Sequence, residues 1–350
     1  MLTPPRRSRP HSNFGGWQAL GLMSAFAPSE LGSVPSFVEP VLAVWIAIWQ
    51  GARQAYPAMG PMSLLRRVRF SWQAWVHRRE WRALRQVPPQ SQLGQVMQAR
   101  KNMVHILAWP YLHRAWSIRH RVETVVAHYR HVERQPWLQV PIGARELLAT
   151  IGPAEHGLTL QLDQPGWMAQ EGELALNLFE GNMRLYSVAF SIGRRKGQPT
   201  MYIGAIQGRS TEGISERYAE LTKRLHGCRP RDLVLLATLI LAETMGIERV
   251  YAISDFYRHH RHARLFARFD KNVPTADYDE IWRDRGGVET VDGFFAIETG
   301  FTPRPLDSIP AKKRAMYRRR YEMLTDLRER LLTVAAANQP PAQLQREPAL

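Results

Sequence analysis

Apolar and polar positions change period along this chain, and the changes divide it into regions. From residue 36 to 94 the period is helical. Residues 37–56 read as one helix, opened around Pro40 and ended near Pro57, and residues 61–86 as a second. In the second, Leu64, Leu65, Val68, Trp72, Trp75 and Val76 recur at helical spacing, with Arg66, Arg67, Arg69, Arg78, Arg79 and Arg82 between them. Such a stripe predicts a face packed on a core with its arginines solvated. The alternative is a cationic, Trp-bearing helix lying in a lipid headgroup layer. One more helix is expected over residues 113–133.

From Leu158 the period falls to two. Leu158, Leu160 and Leu162 alternate, as do Leu174, Leu176 and Leu178. Residues 183–192 and 200–207 continue as strands joined by a basic loop, 193–199. A polar helical stretch, 209–225, leads to the loop His226-Gly227-Cys228-Arg229-Pro230, which opens a long apolar helix. That helix stops at Gly246 and feeds a β-branched strand, 250–254. Beyond it come an aromatic, basic helix to Phe269, a short helix from Asp277, a strand over 293–297 and an amphipathic helix over 312–334. The order predicts an α+β fold: a mixed, mainly antiparallel sheet with flanking helices, preceded by an N-terminal helical region.

Composition adds a boundary and a charge. Residues 1–35 read as a mobile basic arm, 36–94 as a helical extension, 95–335 as the main domain and 336–350 as a disordered tail. Over 350 residues, 47 Lys+Arg against 31 Asp+Glu give a net charge of +16, a field that attracts polyanions. The expected partner is an anionic ligand or lipid surface. A protein partner is an alternative and nucleic acid a weaker one, since no DNA- or RNA-reading motif is present. Cys228 is the only cysteine, which excludes an intrachain disulfide and fits a reducing compartment. Beside arginines at a helix mouth its thiol is placed where a pKa can fall, although a small loop residue is the plainer reading of a lone cysteine. Arg6, Arg7 and Arg9 precede an apolar run, 17–27, but Gln18 interrupts it and Pro28 follows the would-be cleavage point. No run approaches the roughly 20 apolar residues that span a bilayer, so the expectation is a cytoplasmic protein, at most peripheral on the inner membrane.

Four separated strings, YIGAIQGR at Tyr202, LHGCRPRDLVLLA at Leu225, YDEIWRDRGG at Tyr278 and KKRAMYRRRYEML at Lys312, resemble the VirK/YbjX family of bacterial proteins. The resemblance covers roughly residues 100–335. It implies a link to virulence, to resistance against cationic antimicrobial peptides and to membrane placement of a surface protein. The biochemical function of that family is unknown.

The element order is also similar to that of GNAT-type acyl-CoA N-acyltransferases, in which a strand pair splays open beside a helix N-terminus that grips the cofactor pyrophosphate. That likeness implies a splayed strand at 202–207 and a grip at 226–231. Gln207, Gly208, Gly227, Arg229 and Arg231 become cofactor-binding candidates and acyl-CoA the candidate cofactor. One departure is the inserted stretch 209–225, where that fold runs almost directly from turn to helix. Catalytic candidates at the strand ends are Glu180, Asp255 and His226 as base, with Tyr257 as acid. Each has a plainer reading: Ser254 and Asp255 as helix caps, Glu180 as a turn residue, His226 as a cap. His259, His260 and His262 have no acidic or histidine partner at fixed spacing, and His128 with His131 is a weak pair, so no metal is expected. An acyltransferase-like enzyme and a non-catalytic adaptor remain open.

Overall fold

Proline, serine and glycine punctuate the helices where the chain turns. The computed structural model describes residues 38–152, 157–261 and 276–337. Residues 38–47 are the first part of α1 (Val38–Ala55) and count as a unit of their own. The rest belongs to a second unit that starts at Ile48. α2 (Pro61–Val76) starts with proline in its first turn, where a missing N–H costs nothing. The chain breaks at His77 into α3 (Arg78–Arg85), so the single helix expected over 61–86 is two. α4 (Gln92–Ala99) is capped by the Ser91 hydroxyl, which accepts from Gly94 N at 3.1 Å. Ser117 caps α5 (Ile118–Glu133) in the same way.

α2 turns over the expected orientation of its stripe. The face pointing inward carries Ser63, Phe70, Ser71 and Ala74, while Met62, Leu65, Val68, Trp72 and Val76 are each at least half exposed. Small residues let the helix lie close, and Phe70 alone fills the contact, edge-on to Tyr56 and Trp81. The predicted packing of the stripe on a core is therefore reversed.

The expected α+β architecture is present. Strands β1 (Arg145–Thr150), β2 (Leu158–Asp163), β3 (Leu174–Glu180), β4 (Met183–Arg195), β5 (Gln198–Gly208), β6 (Arg249–Ile253), β7 (Val288–Glu289) and β8 (Phe294–Glu298) form one sheet. Their order is β1-β2-β3-β4-β5-β6-β8-β7, antiparallel except where β5 runs parallel to β6. β4 and β5 meet at Lys196-Gly197, both at positive φ, a two-residue hairpin turn. The loop expected over 193–199 is thus mostly strand. Between β5 and β6 lie α6 (Ile214–Arg224) and α7 (Pro230–Thr244). α8 (Tyr278–Arg283) follows β6, and α9 (Ala311–Ala337) closes the described chain. α5 and α7 both pack on β4, and β3 beside it is buried at consecutive positions, so both sheet faces are covered. α9 lays Leu324, Leu327, Leu331 and Ala335 against α7 and β1. The aromatic, basic helix expected from Phe256 is two single turns, Asp255–Tyr257 and His259–Arg261; its remainder lies outside the described residues. The run at 17–27 also lies outside them.

Candidate functional site

β5 pairs with β6 only through Met201↔Val250, Tyr202↔Tyr251 and Ile203↔Ala252. At the same point its register against β4 jumps from Phe190↔Ile203 to Ala189↔Ala205, leaving Gly204 as an extra residue. Such a bulge bends and twists a strand, which carries β5 away from β6. Glycine is needed there because a Cβ would fall on the Glu171 carbonyl oxygen. The gap is filled from α8. Tyr278, fully buried, donates its hydroxyl to Ile206 O at 2.9 Å and accepts from Ile206 N at 3.0 Å. The Arg258 guanidinium stacks on the Tyr278 ring at 3.8 Å.

Beneath this corner sits a polar cluster. Glu171, on the turn before β3, accepts from Gln207 Nε2 at 2.9 Å through Oε2, and its Oε1 lies 3.9 Å from His259 Nδ1. Ligand atoms of Glu171, His259 and His260 all fall within 4.8 Å of one another. Desolvation pushes the Glu171 carboxyl up to about 7 against the pull of Arg258. Burial drives His259 down to about 3 and His260 to about 4, with neighbouring cations adding to both. Arg258 is 1% exposed. Its Nη1 donates to Asp255 Oδ1 at 3.1 Å, while Nε and Nη2 have no hydrogen-bond partner among the described residues.

A cleft of about 600 Å³ opens at the mouth of α7, lined by Gly227, Cys228, Arg229, Arg285, Arg304 and Arg320 among others. His226 and Gly227, at φ 54° and 77°, reverse the chain between α6 and α7. Arg320 holds this reversal by donating from Nε and Nη2 to His226 O at 3.0 and 2.9 Å. Arg285 pairs with Asp232 at 2.8 Å. Arg229 and Arg304 have no ion-pair partner among the described residues. Arg229 is the N-cap residue of α7 with Pro230 behind it, and no side chain caps the first turn. Unclaimed N–H groups and guanidiniums at one helix mouth suit an anion. For Cys228 the plainer reading holds: burial pushes its thiol up to about 11, against the fall that neighbouring arginines can cause.

The other predicted residues are dispersed. Glu180 is held by Arg217 and, at 2.8 Å, by Arg224; burial pushes its carboxyl up, and these bonds more than reverse it. His226 stands at the α7 mouth, and burial with Arg319 and Arg320 lowers its pKa. Asp255 is not a side-chain cap but the counter-ion of Arg258 and Arg261. Tyr257 stacks on His113, ring centroids 4.6 Å apart. Gly208 lies under the Tyr186 ring and Gln207 is bound to Glu171. Arg231 pairs with Asp232 at 3.2 Å and lines a separate cleft with Tyr186 and Tyr218. His262 lies outside the described residues. The four catalytic candidates are not brought to one place. Glu171 and Tyr278 went unread, although two carboxylates flanking Gly172 just before an apolar strand were a usable signal.

The model of a family described as "Protein of unknown function (DUF535)" matches residues 61–333, and the chain belongs to that family, the YbjX/VirK group. It is 28% identical over 234 residues to the uncharacterized protein YbjX of Escherichia coli (strain K12), covering 64% of this chain and 69% of that one. An uncharacterized protein of Haemophilus influenzae is 32% identical over 176 residues, and the match spans 54% of its length. A protein of Mannheimia haemolytica named "Membrane protein LapB" is 26% identical over 220 residues, covering 60% of this chain and 93% of that one. No solved structure matches. Among the described residues no helix is long and apolar enough to cross a membrane.

Proposed function

We propose that this protein is a peripheral membrane protein that binds anionic lipid through the outer face of α2. One observation carries the reading: Met62, Leu65, Val68, Trp72 and Val76 form an exposed apolar stripe at helical spacing. Arg66, Arg78, Arg79, Arg82 and Arg85 stand exposed beside it on α2 and α3. Apolar contact and headgroup attraction add: burying a large side chain contributes about 1.5–3 kcal/mol, and each cation near an anionic surface about 1 kcal/mol. The name of the Mannheimia relative supports the same direction. A link to envelope stress and cationic-peptide resistance, implied by the family resemblance, fits a protein that works on anionic lipid at the cytoplasmic face.

Flotation with phosphatidylcholine vesicles, with and without phosphatidylglycerol, tests it. The protein rises with the anionic vesicles, less so at high salt, and Trp72→Glu lowers partitioning at least tenfold. Sedimentation without vesicles at low salt would overturn the proposal. So would a dimer that Trp72→Glu splits while vesicle binding stays absent.

A second reading is a phosphate-bearing ligand, acyl-CoA among them, held at the α7 mouth by a GNAT-like body. It is favoured by the parting of β5 from β6 and by the unpaired Arg229 and Arg304 over the cleft. Against an acyl arm lying in the splay, Tyr278 already occupies both backbone groups of Ile206. Calorimetry with acetyl-CoA, coenzyme A and inorganic phosphate, repeated on Arg229→Ala and Arg304→Ala, decides it. Absence of heat with all three ligands refutes it.

A further inference from the structure

We infer that Glu171, His259 and His260 form a binding site for a divalent transition metal, with zinc as the best chemical fit. Two imidazoles and one carboxylate are a ligand set that zinc accepts with a fourth position left open. Their donor atoms already converge to within 4.8 Å. In a tetrahedral site with bonds of about 2.1 Å these separations would be about 3.4 Å, so the donor atoms need to close in by up to about 1.4 Å.

Direct hydrogen bonding among the three does not account for the convergence. Glu171 and His259 face each other at 3.9 Å, too far for a hydrogen bond, and no hydrogen bond links either of them to His260. His260 Nε2 is buried and without a partner among the described residues. A buried ring nitrogen left without a partner is costly unless something binds it. The outer shell is also in place. Gln207 fixes the Glu171 carboxylate through Oε2 and leaves Oε1 toward the histidines. Arg258 acts on Glu171 and both histidines and would oppose a bare cation. Its unpaired Nε and Nη2 balance this if the fourth ligand is an anion.

The test uses the full chain without a histidine tag, stripped with chelator and titrated with zinc chloride alone. The expected result is one zinc per chain, weakened about a hundredfold by each of Glu171→Gln, His259→Gln and His260→Gln. His131→Gln, at a half-buried histidine away from the cluster, on α5, leaves the affinity unchanged. Cobalt in place of zinc gives the intense visible bands of a four-coordinate site on the unmutated chain. That measurement decides the matter even if the variants unfold. No uptake of zinc or cobalt by the stripped chain, or full uptake by all three variants, overturns the inference. It is independent of lipid binding, which the same chain can be tested for after stripping.

Discussion

Replacing Tyr278 by phenylalanine removes a single oxygen and leaves the packing of the ring unchanged. That oxygen is the partner of both Ile206 N and Ile206 O, at 3.0 and 2.9 Å, and the site is closed to water. Leaving a buried polar group unpaired costs about 1–3 kcal/mol, so orphaning two costs about 2–5 kcal/mol after partial relaxation. Against a domain stability of about 5–15 kcal/mol the loss is large. Tyr218 supplies the control. Its hydroxyl likewise accepts from a backbone N–H (Arg209, 2.9 Å) and donates to a carbonyl (Leu185, 2.8 Å), but the residue is half exposed. Water can replace it, and Tyr218→Phe should cost below about 1 kcal/mol. Urea unfolding followed by circular dichroism measures both, read as midpoint shifts at constant slope. Equal small losses for the two variants would refute the account, because they would mean that Ile206 is satisfied in some other way.

Two further outcomes are expected. Gly204→Ala places a methyl on the Glu171 carbonyl, which backbone cannot yield, so the variant should be insoluble or lose at least about 3 kcal/mol in the same urea assay. His128 is fully buried, accepts from Ile192 N at 3.1 Å, and is pushed by burial down to about 3, below the ordinary value of 6.5. Because the folded-state pKa is depressed, only the unfolded chain takes up this proton between pH 6.5 and about 3. Stability therefore falls as pH drops through that window, with His128 contributing up to about 1.4 kcal/mol per pH unit. His128→Asn keeps an acceptor for Ile192 and should flatten the pH dependence by that amount in urea titrations between pH 6 and 4.

Strands β2, β3, β5, β6 and β8 were legible because each alternates or runs apolar, and α7 because it opens on Arg229-Pro230 and stops near Gly246. β1 was not, since Arg145–Thr150 shows no alternation and is half exposed at the sheet edge. The orientation of α2 was not legible either. Periodicity locates an apolar stripe but does not say which side faces the core, and here Phe70 and a row of small residues took the inner side. Where β5 parts from β6, what fills the gap is Tyr278, 72 residues beyond Ile206 and not readable from local pattern. The Glu171–His259 encounter is likewise a long-range contact that no local spacing reports.

The phenol that bridges the N–H and C=O of one residue of β5 also sets an entry requirement for that corner. A molecule that took its place would have to offer a hydrogen to the Ile206 carbonyl and a lone pair to its N–H, side by side. A hydroxyl or a primary amide meets that demand; a plain hydrocarbon chain or an ester does not. Admission there is a matter of matched polarity, and α8 is the bolt that must slide first.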